Sequence, residues 1–140
     1  MSTPVVNEWS GAAVLSNLEA VQSFVEERLE AAGCPMKTKI KIAVAVEEIF
    51  VNIASYAYAP ETGSATVRTE LSEDPAAVTI SFADHGVPFD PLAREDPDIH
   101  LPANERGVGG LGVLMTKRIM DELRYEYRDG QNILTMKKNL

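Results

Sequence analysis

A helix that is apolar almost all the way round must be covered on most sides, and this sequence carries one. It begins at about Met36 or Lys37, just after Gly33-Cys34-Pro35, and runs to roughly Tyr58, where Pro60 and Gly63 stop it. From Ile42 to Ala59 nearly every residue is apolar, yet Glu48, Asn52 and Ser55 fall at i, i+4 and i+7 and so share one face. Two readings fit that stripe. It is a solvated face, as most polar helix stripes are, or it points into a pocket, with Glu48 as a proton acceptor and the Asn52 side-chain oxygen holding Mg²⁺, a hard ion that prefers oxygen ligands. Glu47 is the competing carboxylate. It lies about 100° around the helix from Glu48, so the two cannot face one pocket equally.

The elements around this helix follow from periodicity. An earlier helix starts near Ser16, where Ser16-x-x-Glu19 reads as a capping box, and places Leu15, Leu18, Val21, Val25 and Leu29 on one face. Gly33 supplies its C-cap and Pro35 prevents its continuation. Alternation over 65–71 and again over 78–84, with a turn at Glu73-Asp74-Pro75, predicts an antiparallel hairpin ending at Asp84. The glycine cluster over 107–112 feeds a helix with Leu111, Leu114, Met115, Ile119 and Leu123 on its apolar side. Two closing strands, over 123–128 and 132–138, flank Asp129-Gly130, a dipeptide suited to a tight hairpin turn. The fold class is therefore α+β, with helices packed on one face of a mixed, mostly antiparallel sheet. Residues 1–140 fit a single domain with one core, since a second core would be starved at this length.

Two further segments carry chemistry. Asp84-x-Gly86-x-Pro88-Phe89-Asp90-Pro91 stands where a strand ends. It is either a turn, because Asp and Gly are common there, or a carboxylate at the base of a pocket that accepts a hydrogen bond from an exocyclic amino group such as adenine's. In the second reading Gly86 lets the base approach the backbone. The other segment is the glycine cluster itself. Exposed backbone N–H groups and the helix dipole after it favour an anionic phosphate, although a flexible connection is the plain alternative. Its spacing fits neither a lysine-bearing phosphate loop nor a Rossmann fingerprint. Between the two, residues 86–110 form an expected lid, since the stretch over 86–106 is rich in proline, acid and small residues and too long for an ordinary connection.

Charge and cysteine usage exclude several classes. A net charge of −8 without a Lys/Arg cluster repels a phosphate backbone, so no direct nucleic-acid partner is expected. The one cysteine, Cys34, cannot form an internal disulfide, and no cluster has zinc-ligand spacing. No run approaches a membrane span and the N-terminus does not read as a secretion signal, so a cytoplasmic location and no membrane partner are expected.

Taken together, the three segments resemble the Bergerat-fold (GHKL) ATP-binding superfamily shared by gyrase-type ATPases, heat-shock chaperones, histidine kinases and anti-sigma-factor serine kinases. Glu48-x-x-x-Asn52 is similar to its N box, Asp84-x-Gly86 to its first glycine box and residues 107–112 to its second. Asn52 through Tyr56-Ala57-Tyr58, Pro88-Phe89-Asp90-Pro91, and Gly109-Gly110-Leu111-Gly112 followed by Met120-Asp121-Glu122 look most like the anti-sigma-factor kinases. The resemblance implies ATP and Mg²⁺ as ligands: Asn52 on the metal, Asp84 and Gly86 at the adenine, and Gly107, Gly109, Gly110, Leu111 and Gly112 around the phosphates. Glu48 takes the catalytic role of general base. Arg106 could reach the γ-phosphate, and Thr135 could join the adenine network. The implied function is an ATP-dependent serine/threonine protein kinase and anti-sigma-like switch, whose partners are a small anti-sigma-factor antagonist protein and a sigma-like factor. The resemblance also suggests a homodimer, to which residues 3–9 could contribute.

The match has departures. Some relatives carry a histidine four residues after the N-box asparagine, where this chain has Tyr56. His85 and His100, the only histidines, lie on no dimerising helical hairpin, which argues against a complete histidine kinase. Two alternatives remain beside the kinase: a non-catalytic module gated by ATP, and a detached ATPase domain that transfers phosphate to histidine in trans.

Overall fold

The computed structural model describes residues 4–58, 61–73, 75–88, 90–93 and 110–140. Strand β1 (Val5–Ala12) leads through a 3-10 turn (Leu15–Asn17) into helix α1 (Leu18–Ala31) and helix α2 (Met36–Asn52). Strands β2 (Ser64–Ser72) and β3 (Ala77–Asp84) follow, then a 3-10 turn (Pro91–Ala93), helix α3 (Gly110–Ile119) and strands β4 (Glu122–Arg128) and β5 (Gln131–Asn139). Among the described residues the strands form one five-stranded sheet in the order β1-β2-β3-β5-β4. Every pairing in it is antiparallel, so the mixed component expected from the sequence is absent there. The two hairpins, β2–β3 and β4–β5, are antiparallel by construction, and β3 and β5 join them in the same sense.

Alternation decides which side of the sheet is the core. Val67, Phe82 and Leu134 align in one cross-strand row and Thr69, Ile80 and Met136 in the next, all buried. Helices α1 and α2 supply the other half, with Val21, Val25 and Leu29 from α1 and Ile42, Ala45, Val46, Ile49 and Phe50 from α2. The α2 residues recur at i, i+3, i+4, i+7 and i+8, the stripe of a helix buried on one flank rather than on all sides. Each aliphatic or aromatic side chain fully removed from water there stabilises the fold by about 1.5–3 kcal/mol before entropy is counted.

The helix ends show where local rules held. Gly33 adopts φ 73° after α1, with its N–H bonded to the Glu30 carbonyl (3.0 Å) and the Cys34 N–H to the Leu29 carbonyl (3.0 Å), a Schellman closure. Burial pushes the Cys34 thiol above its ordinary pKa, against a smaller opposing effect of Lys39, so Cys34 packs as a small core residue. Asp129 (φ 54°) and Gly130 (φ 77°) make the positive-φ turn between β4 and β5. The expected capping box is not formed. Ser16 lies inside the 3-10 turn, Asn17 takes the N-cap position of α1, and neither turn nor helix has a side-chain cap hydrogen bond. Of the apolar face expected on α3, Ile119 packs against the core, as does Leu123 beyond the helix, whereas Met115 is 42% exposed and Thr116 beside it is buried.

Strand β1 was not foreseen. It lies at the sheet edge and turns one large apolar side chain inward, Trp9, whose ring meets Phe50 edge-on at 6.1 Å between centroids. One anchor in eight residues gives no readable alternation.

Candidate functional site

The polar stripe of α2 points as its spacing requires. Glu47 is exposed, whereas Glu48 and Asn52, one turn apart, are half-buried. Neither the Glu48 carboxylate nor the Asn52 amide takes part in a hydrogen bond or ion pair among the described residues, unlike a structural pair that satisfies itself. The third stripe residue falls out of line. The α-helix stops at Asn52, and a π-helical turn, Ile53–Ala57, carries the chain on. Residues in such a turn rotate less than the ~100° of an α-helix, so Ser55 no longer repeats the Glu48–Asn52 register.

The widened turn delivers the helix end to the loop after β3. The Ala57 carbonyl accepts the Val87 N–H at 3.1 Å. The Tyr58 hydroxyl accepts the His85 N–H at 2.7 Å and donates to the Ser64 carbonyl at 2.6 Å. A Cβ on Gly86 would collide with the Ala57 carbonyl oxygen and stand 2.7 Å from its carbon. Gly86, expected to let a base approach the backbone, meets the end of the helix on the side where a Cβ would stand. Gly86→Ala is therefore expected to destabilise the protein by about 1–3 kcal/mol, because backbone on both sides cannot yield as a side chain can. Urea unfolding reads the shift in midpoint, and an unchanged midpoint would contradict this brace. Tyr58→Phe removes both hydroxyl bonds and is expected to cost about 1–3 kcal/mol. Hydrogen exchange should show the His85 amide losing protection while the core strands keep theirs, and retained protection would count against the contact.

Asp84 ends β3 on the helix-facing side and is 5% exposed. Its Oδ1 accepts the Gly86 N–H at 2.8 Å and the Asn132 Nδ2 at 3.0 Å, while its Oδ2 receives no hydrogen bond among the described residues. Asn132 is the residue that the sequence reading missed. It sits opposite Asp84 in the β3–β5 register, and Thr135, expected to join the adenine network, does not. Three residues from Asn132 on a period-two strand, Thr135 points to the other sheet face, where its hydroxyl meets that of Ser81 at 3.4 Å. The signal was available: buried Leu134 and Met136 fix the inward positions of β5, and Asn132 shares their parity.

The glycine cluster divides. Gly110, Leu111 and Gly112 belong to the first turn of α3 rather than to a loop, and α3 packs against α2. Gly107, Gly109 and Arg106 lie outside the described residues, as do Phe89 and residues 94–109 of the expected lid. A helix start such as that at Gly110 leaves its first N–H groups without intrahelical partners and carries a partial positive charge.

Three features are thus tied to one helix. The Asp84–Val87 loop is bonded to its C-terminal continuation, Glu48 and Asn52 project from its last turns, and α3 packs along it. A buried carboxylate with one unused oxygen suits an amino group of a base, and an unpartnered amide oxygen suits a hard cation shared with phosphate oxygens. Among the described residues no group of three or more His, Cys, Asp or Glu could hold a metal. No helix among them is long and apolar enough to cross a membrane.

Residues 12–138 match the family model described as a histidine kinase-like ATPase domain. The chain is 27% identical over 100 residues to the serine/threonine-protein kinase BtrW of Bordetella bronchiseptica, spanning 71% of this chain and 70% of that one. It is 29% identical over 111 residues to the serine-protein kinase RsbW of Listeria monocytogenes, spanning 76% of this chain and 69% of the relative. A solved Mycobacterium tuberculosis structure of RsbU and RsbW domains superposes on 97% of this chain with a TM-score of 0.69 and 19% identity, and the match spans 32% of that longer chain. At that identity the likeness speaks for the fold.

Proposed function

Because the chain belongs to the histidine kinase-like ATPase domain family, we propose that it is an ATP-dependent serine/threonine protein kinase that acts as an anti-sigma-like switch. Residues 1–140 act as one ATP-binding unit, with 86–110 as its lid. The observation that carries the reading is the splice between the end of the Glu48–Asn52 helix and the Asp84–Val87 loop. It ties a base-recognising carboxylate to the element that bears the catalytic stripe. Asp84 Oδ2 accepts the adenine amino group, Asn52 holds Mg²⁺, and the segment that ends at Gly112 surrounds the phosphates with its N–H groups. Mg²⁺, when bound, supplies neutralisation of phosphate charge. The Glu48 carboxylate accepts the proton of a partner serine or threonine hydroxyl as that oxygen bonds to the γ-phosphorus and the bond to the ADP oxygen breaks.

The partners are a small antagonist protein, which is phosphorylated, and a sigma-like factor, which is bound when the antagonist is unavailable; the site of action is the cytoplasm. The relatives named as serine-protein kinases support the chemistry. Strand β1 supports self-association, since it is a sheet edge with Val5 57% and Val6 42% exposed. A pull-down from a bacterial lysate with and without Mg-ATP, followed by mass spectrometry, tests the whole reading. It predicts nucleotide-dependent retention and acid-stable phosphoserine or phosphothreonine on a retained protein. Acid-labile phosphohistidine, or retention indifferent to nucleotide, would contradict it.

A further inference from the structure

Asp84 does not stand alone at the end of β3. Asn132, 7% exposed, directs its Nδ2 at three acceptors: Asp84 Oδ1 at 3.0 Å, the Val87 carbonyl at 2.9 Å and the Gly86 carbonyl at 3.3 Å. Its Oδ1 accepts the Tyr125 hydroxyl from strand β4. This arrangement admits one orientation of the amide. The NH₂ group faces a carboxylate oxygen and two carbonyls and the oxygen faces a donor, so a flipped Asn132 would set oxygen against all three acceptors. Tyr125 thereby fixes Asn132, and Asn132 fixes one oxygen of Asp84.

The geometry points to Asn132 as a positioning residue for base selectivity, with Tyr125 as its anchor; the inference rests on the reading of Asp84 as the adenine acceptor. With Oδ1 held by both the Gly86 N–H and Asn132, the plane of the carboxylate is set and Oδ2 is aimed before any nucleotide arrives. An ionised carboxylate oxygen can only accept. It matches the exocyclic amine of adenine and opposes the carbonyl that guanine carries at the corresponding ring position. A carboxylate held by the Gly86 N–H alone can rotate away. The ordering cost then falls on adenine binding, and the repulsion of guanine relaxes. Asn132 touches no base in this scheme, since its amide hydrogens are committed to Asp84 and to the loop carbonyls.

Calorimetric titration of ADP and GDP into the whole chain, its Asn132→Leu variant and its Tyr125→Phe variant tests this. Leucine keeps the number and branching of asparagine's side-chain heavy atoms without its donors. Tyr125→Phe, on an edge strand with the ring retained, guards against a variant that fails to fold. The wild-type chain is expected to prefer ADP. Asn132→Leu should lower ADP affinity about tenfold with GDP little changed, and Tyr125→Phe should shift the ADP/GDP ratio in the same direction by less. Equal losses for both nucleotides would make Asn132 a general brace of the loop and overturn its selective role, as would an unchanged ratio in both variants. Failure of the wild-type chain to bind ADP would instead sink the nucleotide reading itself, and it appears in the first titration before any variant is made.

Discussion

Replacing Glu48 with glutamine is expected to lower phosphoryl transfer by about 10²–10⁴-fold while Mg-ATP affinity stays near its starting value. Glu48 is half-buried on the polar stripe of α2 and has no hydrogen-bond or ion-pair partner among the described residues. Glutamine keeps the shape, breaks no hydrogen bond or ion pair among the described residues and leaves the buried flank of Ile42, Ala45, Val46, Ile49 and Phe50 untouched. What it removes is the capacity to take a proton. Glu47→Gln is the matched control. Its side chain is exposed and about 100° away around the helix, so near-normal transfer is expected from it. Single-turnover assays on both variants read the difference. Equal rates for Glu48→Gln and the parent would remove Glu48 from the chemistry, and a collapse in Glu47→Gln alone would move the role to its neighbour.

Asp84→Asn is expected to weaken ATP binding by about 10²-fold with little loss of stability. The amide oxygen of the new side chain can still accept the Gly86 N–H and the Asn132 Nδ2, so the contacts that shape the loop survive. The other end of the side chain changes from an acceptor to an NH₂ group, and donor then faces the adenine amine. A hydrogen bond to a charged acceptor contributes roughly 1.5–3 kcal/mol, and the substitution also leaves the two donors opposed. Calorimetry gives the affinity and a thermal melt of the same sample gives the stability. Unchanged affinity would detach Asp84 from the nucleotide, and a loss of both together would make its role structural.

Sequence periodicity carried most of the architecture because strong alternation and clear stops coincide. Residues 65–71 and 78–84 alternate without a break around a turn, Asp129-Gly130 dictates its hairpin, and Gly33 closes α1 as its position suggests. Strand β1 was hidden because an edge strand buries one face weakly, and Trp9 alone does not make a period. The missing capping box at Ser16 has a similar origin. The motif was right in letters, but a 3-10 turn took the position that a cap would need. At the site, spacing on α2 separated Glu48 from Glu47, since a helix converts one residue step into a fixed rotation. Thr135 and Asn132 show the opposite case. Parity with Leu134 and Met136 turns Asn132 inward and Thr135 outward, but only the register of β5 against β3 sets Asn132 opposite Asp84. The contact of Gly86 with Ala57 depends on a π-helical turn, which the apolar pattern of α2 does not encode.

In the proposed kinase a single bound nucleotide reaches from the loop at Asp84 to the amide of Asn52. Side-chain amide and backbone NMR during titration with Mg-ATP measures this directly, with adenosine as the comparison. Adenosine should perturb His85, Gly86 and the Asn132 side-chain amide but leave the Asn52 side-chain amide in place, whereas Mg-ATP should move all of these signals along one binding curve with one Kd. An Asn52 amide that stays still, or that follows a different curve from Gly86, would mean that the two ends do not serve the same molecule.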